Sequence, residues 1–99
     1  MIIDDDEDIL NLFHDFLTKE GYDVVTFLEP LKALEEIKNN PFIYSLIITD
    51  IRMPGISGIE LVKRVSSINE DLKVILMSAF EINGDGLKEL TYNEHQVGS

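Results

Sequence analysis

Short apolar runs alternate with amphipathic segments along the chain, a rhythm that predicts an α/β domain with a parallel sheet. Met1-Ile2-Ile3 reads as the end of a strand that stops where acids begin. From Asp8 to Glu20 the residues Ile9, Leu10, Phe13, Phe16 and Leu17 recur at helical spacing, and Gly21 supplies the stop. Tyr22 to Phe27, with Val24 and Val25, suits a strand. Glu29-Pro30 opens a second helix, with Leu31, Leu34 and Ile37 as its buried stripe and Asn39-Asn40-Pro41 as its end. Leu46-Ile47-Ile48-Thr49 is apolar without alternation, as expected of a strand buried on both faces, and it delivers Asp50 at its carboxyl end. The loop from Ile51 to Gly58 leads to a third helix carrying Ile59, Leu61, Val62, Val65 and Ile68. Val74-Ile75-Leu76-Met77 is a second doubly buried run, ending at Ser78. Beyond Ala79 the pattern weakens: Ile82, Leu87 and Leu90 suit a short helix despite Gly84 and Gly86, and the last nine residues offer only Val97 to a core. The predicted order is β-α-β-α-β-α-β-(α)-(weak β).

Nothing along the 99 residues marks a boundary: there is no tandem repeat, no low-complexity stretch and no Pro/Gly/Ser linker, so residues 1–99 are expected to form one domain. Eight Lys and Arg face 19 Asp and Glu, a formal charge of −11, and the few cations form no stripe able to neutralise phosphates. Direct nucleic-acid binding is not expected. The absence of Cys excludes disulfides, thiolate metal sites and Cys nucleophiles. No apolar run is long enough to span a membrane and no signal peptide is apparent, which places the expected protein in the cytoplasm without membrane contact. The acidity is local in part, because Asp4-Asp5-Asp6-Glu7-Asp8 carries five of the charges.

In an open parallel sheet the ligand site lies outside the carboxyl ends of the strands, at the switch in strand order. Asp4 and Asp5 follow the first strand, Asp50 ends the third and Ser78 ends the fourth. Right-handed crossovers make strands 1 and 3 neighbours in a flavodoxin-like order, so these residues converge on one edge. Three gathered carboxylates repel, and a divalent cation resolves the repulsion. Oxygen-only ligands favour Mg²⁺, with Mn²⁺ as the other candidate.

Ile3-Asp4-Asp5-Asp6, the stretch Leu46-Ile47-Ile48-Thr49-Asp50-Ile51-Arg52-Met53-Pro54-Gly55-Ile56-Ser57-Gly58, and Met77-Ser78-Ala79 together resemble a response-regulator receiver domain of two-component signalling, most strongly over residues 1–80. The resemblance implies a doubly wound parallel sheet in which Asp50 is the phosphoacceptor, Asp5 a direct Mg²⁺ ligand and Asp4 an acid holding the metal through water. It also implies that the backbone carbonyl of Arg52 completes the protein's share of the metal shell and that Ser78 contacts the phosphoryl group. Other residues have plainer readings. Asp6, Glu7 and Asp8 suit a helix N-terminus, His14 suits the boundary of the first helix's apolar stripe rather than a phosphocarrier, and Met53 and Met77 suit packing.

The chain departs from the family at its C-terminal end, where the Lys-Pro pair and fifth helix of a receiver are not found. If Asn93 to Val97 is a remnant of strand 5, His95 falls near the aromatic switch position and Gly98 near the lysine. The expectation is a receiver with a weak fifth strand and no fifth helix, trimmed at both ends. Strand 4 would then be an open sheet edge below an uncovered face, conditions that favour a homo-oligomer. The function implied is phosphoacceptance from a histidine kinase or phosphotransfer protein, with readout through a downstream output protein, rather than enzymatic turnover. The alternatives are a pseudo-receiver interaction module that does not switch, an incomplete fragment of a larger response regulator, and a metal-dependent phosphatase with an aspartyl intermediate. The last would want an acid where Arg52 stands.

Overall fold

The computed structural model describes residues 1–79 and 89–93, with side chains described through Met77. The elements run β1 (Ile2–Ile3), α1 (Glu7–Lys19), β2 (Thr26–Phe27), α2 (Pro30–Asn39), β3 (Leu46–Asp50), α3 (Gly58–Ile68), β4 (Lys73–Ala79) and β5 (Glu89–Asn93). Local chemistry sets the helix ends. The Asp6 carboxylate accepts from the Asp8 and Ile9 N–H groups at 2.9 and 3.4 Å, capping α1, whose first turn also carries Glu7 and Asp8. At its other end Gly21, with φ of 96°, lets Tyr22 N–H reach the Leu17 carbonyl and Gly21 N–H the Thr18 carbonyl, a Schellman closure. Pro30 occupies the first turn of α2, and Ser57 Oγ accepts from Glu60 N–H at 3.2 Å to start α3.

The strands form one sheet in the order β2-β1-β3-β4-β5. The first four are mutually parallel, which is the doubly wound, flavodoxin-like arrangement expected. β5 is antiparallel to β4, pairing Leu90 with Ser78 and Asn93 with Ile75. Two expectations are corrected by it. Leu90 belongs to a strand and not to a fourth helix, and β4 is covered by a neighbour instead of being an open edge that would favour self-association. The rest of the expected fourth helix, Ile82 and Leu87 included, and the expected strand-5 residues beyond Asn93, with His95, Val97 and Gly98, lie outside the described residues.

The core lies on one face of the sheet. Ile3, Ile47, Val74 and Leu76 pack with Ala33, Leu34 and Ile37 of α2 and with Leu61, Val62 and Val65 of α3, all buried. The alternate row Ile2, Ile48 and Ile75, aligned across β1, β3 and β4, faces the other side. α1 lies over β1 and β2, so Ile2 is buried whereas Ile48 and Ile75, further along the sheet, are only half-buried. β3 and β4 therefore bury one face fully and the other in part. Predicted stripes narrow in the same way. Phe16 of α1, Leu31 of α2 and Ile59 of α3 are exposed, and Ala33 takes the buried place assigned to Leu31. β2 is shorter than Tyr22 to Phe27 because only Thr26 and Phe27 find partners on the two-residue β1.

Candidate functional site

The register of the sheet decides which acids meet. Ile3 of β1 lies beside Thr49 of β3, so the next residues, Asp4 and Asp50, leave the sheet together at its carboxyl edge. Asp4 is buried, its N–H donating to the Phe27 carbonyl at 3.1 Å and its Oδ1 accepting from Asp6 N–H at 2.9 Å. Asp5 is exposed and Asp50 half-buried. One carboxylate oxygen from each of the three lies within 4.8 Å of the others. At that spacing each ionised pair repels by about 1 to 4 kcal/mol, depending on whether water or protein fills the gap. Among the described residues no salt bridge neutralises any of them. Burial, reinforced by the charges of Asp50 and Asp5, pushes the Asp4 carboxyl up to about 6 against the lowering effect of the Asp6 N–H. Asp50 is also raised, first by burial and then by Asp5, while the N–H groups of Ile51 and Arg52 and the Arg52 charge oppose the rise.

A buried acid, two acids beside it and an uncompensated negative charge form an all-oxygen donor set that suits a hard divalent cation. Asp4, Asp5 and Asp50 can hold one.

The loop after Asp50 is tied at both ends. Ile51 N–H donates to the Met77 carbonyl at 3.1 Å, and the Ile51 carbonyl accepts from Gly58 N–H at 2.8 Å. Arg52 is exposed. Ser78 lies in β4, one residue beyond the Met77 that pairs with Asp50, and its side chain lies outside the described residues. His14 is exposed with its ring nitrogen 3.3 Å from Asp15, away from the three acids. Met77 is buried and Met53 is packed against the core. A cleft of about 360 Å³ between α1 and the start of α2, lined by Glu7, Leu10, Phe27 and Lys32 among others, includes none of the three acids.

Two residues beside the site carry no mark in the hydrophobic pattern. Thr49 is fully buried, and its hydroxyl donates to the Asp50 carbonyl at 3.1 Å with Met53 Sδ at 3.7 Å. Gly58 is buried where α3 meets that same carbonyl. A polar residue inside an otherwise apolar strand, and a glycine opening a helix, were the available signals.

The sequence profile of the response regulator receiver domain matches residues 1–96. The chain belongs to this family. Among similar proteins, the response regulator receiver protein CpdR of Brucella abortus is 38% identical over 80 residues, 81% of this chain and 65% of its own length. The sporulation initiation phosphotransferase F of Bacillus subtilis is 36% identical over 81 residues, 81% of this chain and 63% of its own. This chain thus spans just under two thirds of the length of each of these relatives. Solved structures agree. The response regulator TrrA of Thermotoga maritima, crystallised with Mg²⁺ and BeF, superposes with a TM-score of 0.74 at 35% identity, covering 81% of this chain and 68% of that one. TrrA bound to the histidine kinase ThkA gives 0.72 at 34% identity, covering 82% and 68%. No helix among the described residues is long and apolar enough to cross a membrane.

Proposed function

We propose that this receiver domain takes a phosphoryl group onto Asp50 from the phosphohistidine of a histidine kinase or phosphotransfer protein, in the cytoplasm. The observation that carries the reading is the meeting of Asp4, Asp5 and Asp50 within 4.8 Å at the carboxyl edge of the sheet. An Asp50 carboxylate oxygen attacks phosphorus in line, the P–N bond breaks, and its electron pair passes to the imidazole nitrogen, leaving an acyl phosphate. Asp4, Asp5, Asp50 and the Arg52 carbonyl would hold Mg²⁺, or Mn²⁺. The cation supplies neutralisation of charge on the transferring phosphoryl oxygens. The chain itself contributes positioning: Asp50 stands at the end of a paired strand, and the N–H groups of Ile51 and Arg52 favour its ionised, nucleophilic form. Ser78, one residue past the strand partner of Asp50, is assigned the phosphoryl contact that transmits the modification to an output protein.

Incubation with acetyl phosphate and Mg²⁺ tests this. The wild-type chain gains one phosphoryl mass increment, and Asp50→Asn, a nearly isosteric change, folds but gains none. The increment appearing in Asp50→Asn would move the acceptor elsewhere, absence of label in the wild type would leave an interaction module, and multiple turnover of phosphate esters would indicate a phosphatase.

A further inference from the structure

Gly58 opens α3 with a backbone that any residue adopts, since its φ lies outside the positive region occupied by Gly21 and Gly55. Alanine would suit this helical position better on propensity alone. Space forbids it. A Cβ built on Gly58 falls 2.3 Å from the Asp50 carbonyl oxygen, 3.0 Å from Ile51 Cα and 3.0 Å from Leu76 Cδ2. The first two are backbone atoms, and no side-chain rotation relieves them.

We propose that Gly58, together with Thr49, is a positioning residue for Asp50: its bare Cα lets α3 seat against the Asp50 peptide and hold the carboxylate in place. This rests on the reading of Asp50 as the phosphoacceptor. The Asp50 carbonyl receives the Thr49 hydroxyl at 3.1 Å. The next residue, Ile51, is tied by its N–H to β4 and by its carbonyl to the Gly58 N–H. Strand, loop and helix are thus joined around the two peptide units that flank Ile51, and the Asp50 side chain leaves from the Cα at the start of the first. Opening the Gly58 contact from 2.3 Å to the 3.0 Å that real Cβ atoms require must shift either that peptide or the start of α3. If α3 shifts, the Gly58 to Ile51 hydrogen bond is strained. If the peptide shifts, the Asp50 carboxylate moves relative to Asp4 and Asp5, which are held separately at the end of β1.

The test compares wild type, Gly58→Ala, Thr49→Val and Gly21→Ala, the last a remote positive-φ glycine whose added Cβ meets nothing within 4 Å. Two readouts are taken per folded molecule: the labelling rate with acetyl phosphate at saturating Mg²⁺, and Mg²⁺ affinity by calorimetry with no phosphodonor present. Gly58→Ala is expected to label about tenfold more slowly or worse and to bind Mg²⁺ more weakly. Thr49→Val, which keeps the buried shape, shifts both readouts in the same direction, and Gly21→Ala loses stability but matches wild type in both. Wild-type labelling and Mg²⁺ affinity in folded Gly58→Ala would overturn the proposal. So would wild-type behaviour of Thr49→Val, which decides the matter if Gly58→Ala does not fold. Failure of the wild type to label would instead sink the phosphoacceptor reading, and the Mg²⁺ comparison would still decide this one.

Discussion

Replacing Asp4 with Asn should make the metal-free protein more stable at neutral pH. Asp4 is a buried residue whose carboxyl is pushed up to about 6 in the folded chain, against 3.8 for the free side chain. At 1.36 kcal/mol per pKa unit the difference sets an upper bound of about 3 kcal/mol, which screening by water at the sheet edge reduces. Below 3.8 both folded and unfolded chains hold the proton, and the stabilising contribution of the protonated acid is complete. Between 3.8 and about 6 the folded state binds more protons than the unfolded one, so this contribution is lost as pH rises and is gone above about 6. Asn carries no charge at any pH and keeps an Oδ1 for the Asp6 N–H. Urea unfolding in chelator should therefore find Asp4→Asn more stable by up to about 3 kcal/mol near pH 7.5, with the gap closing near pH 4. Added Mg²⁺ should narrow the gap by stabilising the wild type more than the variant. Equal urea midpoints at neutral pH, or a variant less stable than wild type, would refute the claim that ionised Asp4 is held in the fold at a cost.

Mg²⁺ itself should raise the wild-type melting temperature, by an amount equivalent to about 2.7 kcal/mol at a hundredfold excess over Kd, and identical curves in Mg²⁺ and chelator would remove the metal assignment. Leu61→Ala, at a fully buried position between α3 and the sheet, should cost about 2–5 kcal/mol in urea unfolding. Asp6→Ala removes the α1 cap and should cost about 1 kcal/mol in the same assay while leaving acetyl phosphate labelling intact.

The sequence by itself determined the parts governed by local periodicity and by short-range capping. Pro30 and Gly21 mark helix ends through constraints carried within a few residues, so α1, α2 and α3 lie close to where the pattern puts them. Asp4, Asp5 and Asp50 were legible as a group because strand ends in a parallel sheet share one edge, whatever the details of packing. Tertiary structure alone decided how far each stripe was buried. Leu31 and Phe16 have the right spacing, yet both remain exposed in the folded chain. The antiparallel pairing of Glu89–Asn93 with β4 was equally illegible, because strand direction depends on the path of the connecting chain and not on the residues that pair. Gly58 is the sharpest case. Its need for a bare Cα comes from the Asp50 carbonyl 2.3 Å from where a Cβ would stand, a contact between α3 and the end of β3 that exists only once the β3–α3 loop has closed. A hydrophobic pattern records which side chains leave water, but it does not record how closely two backbones must pass.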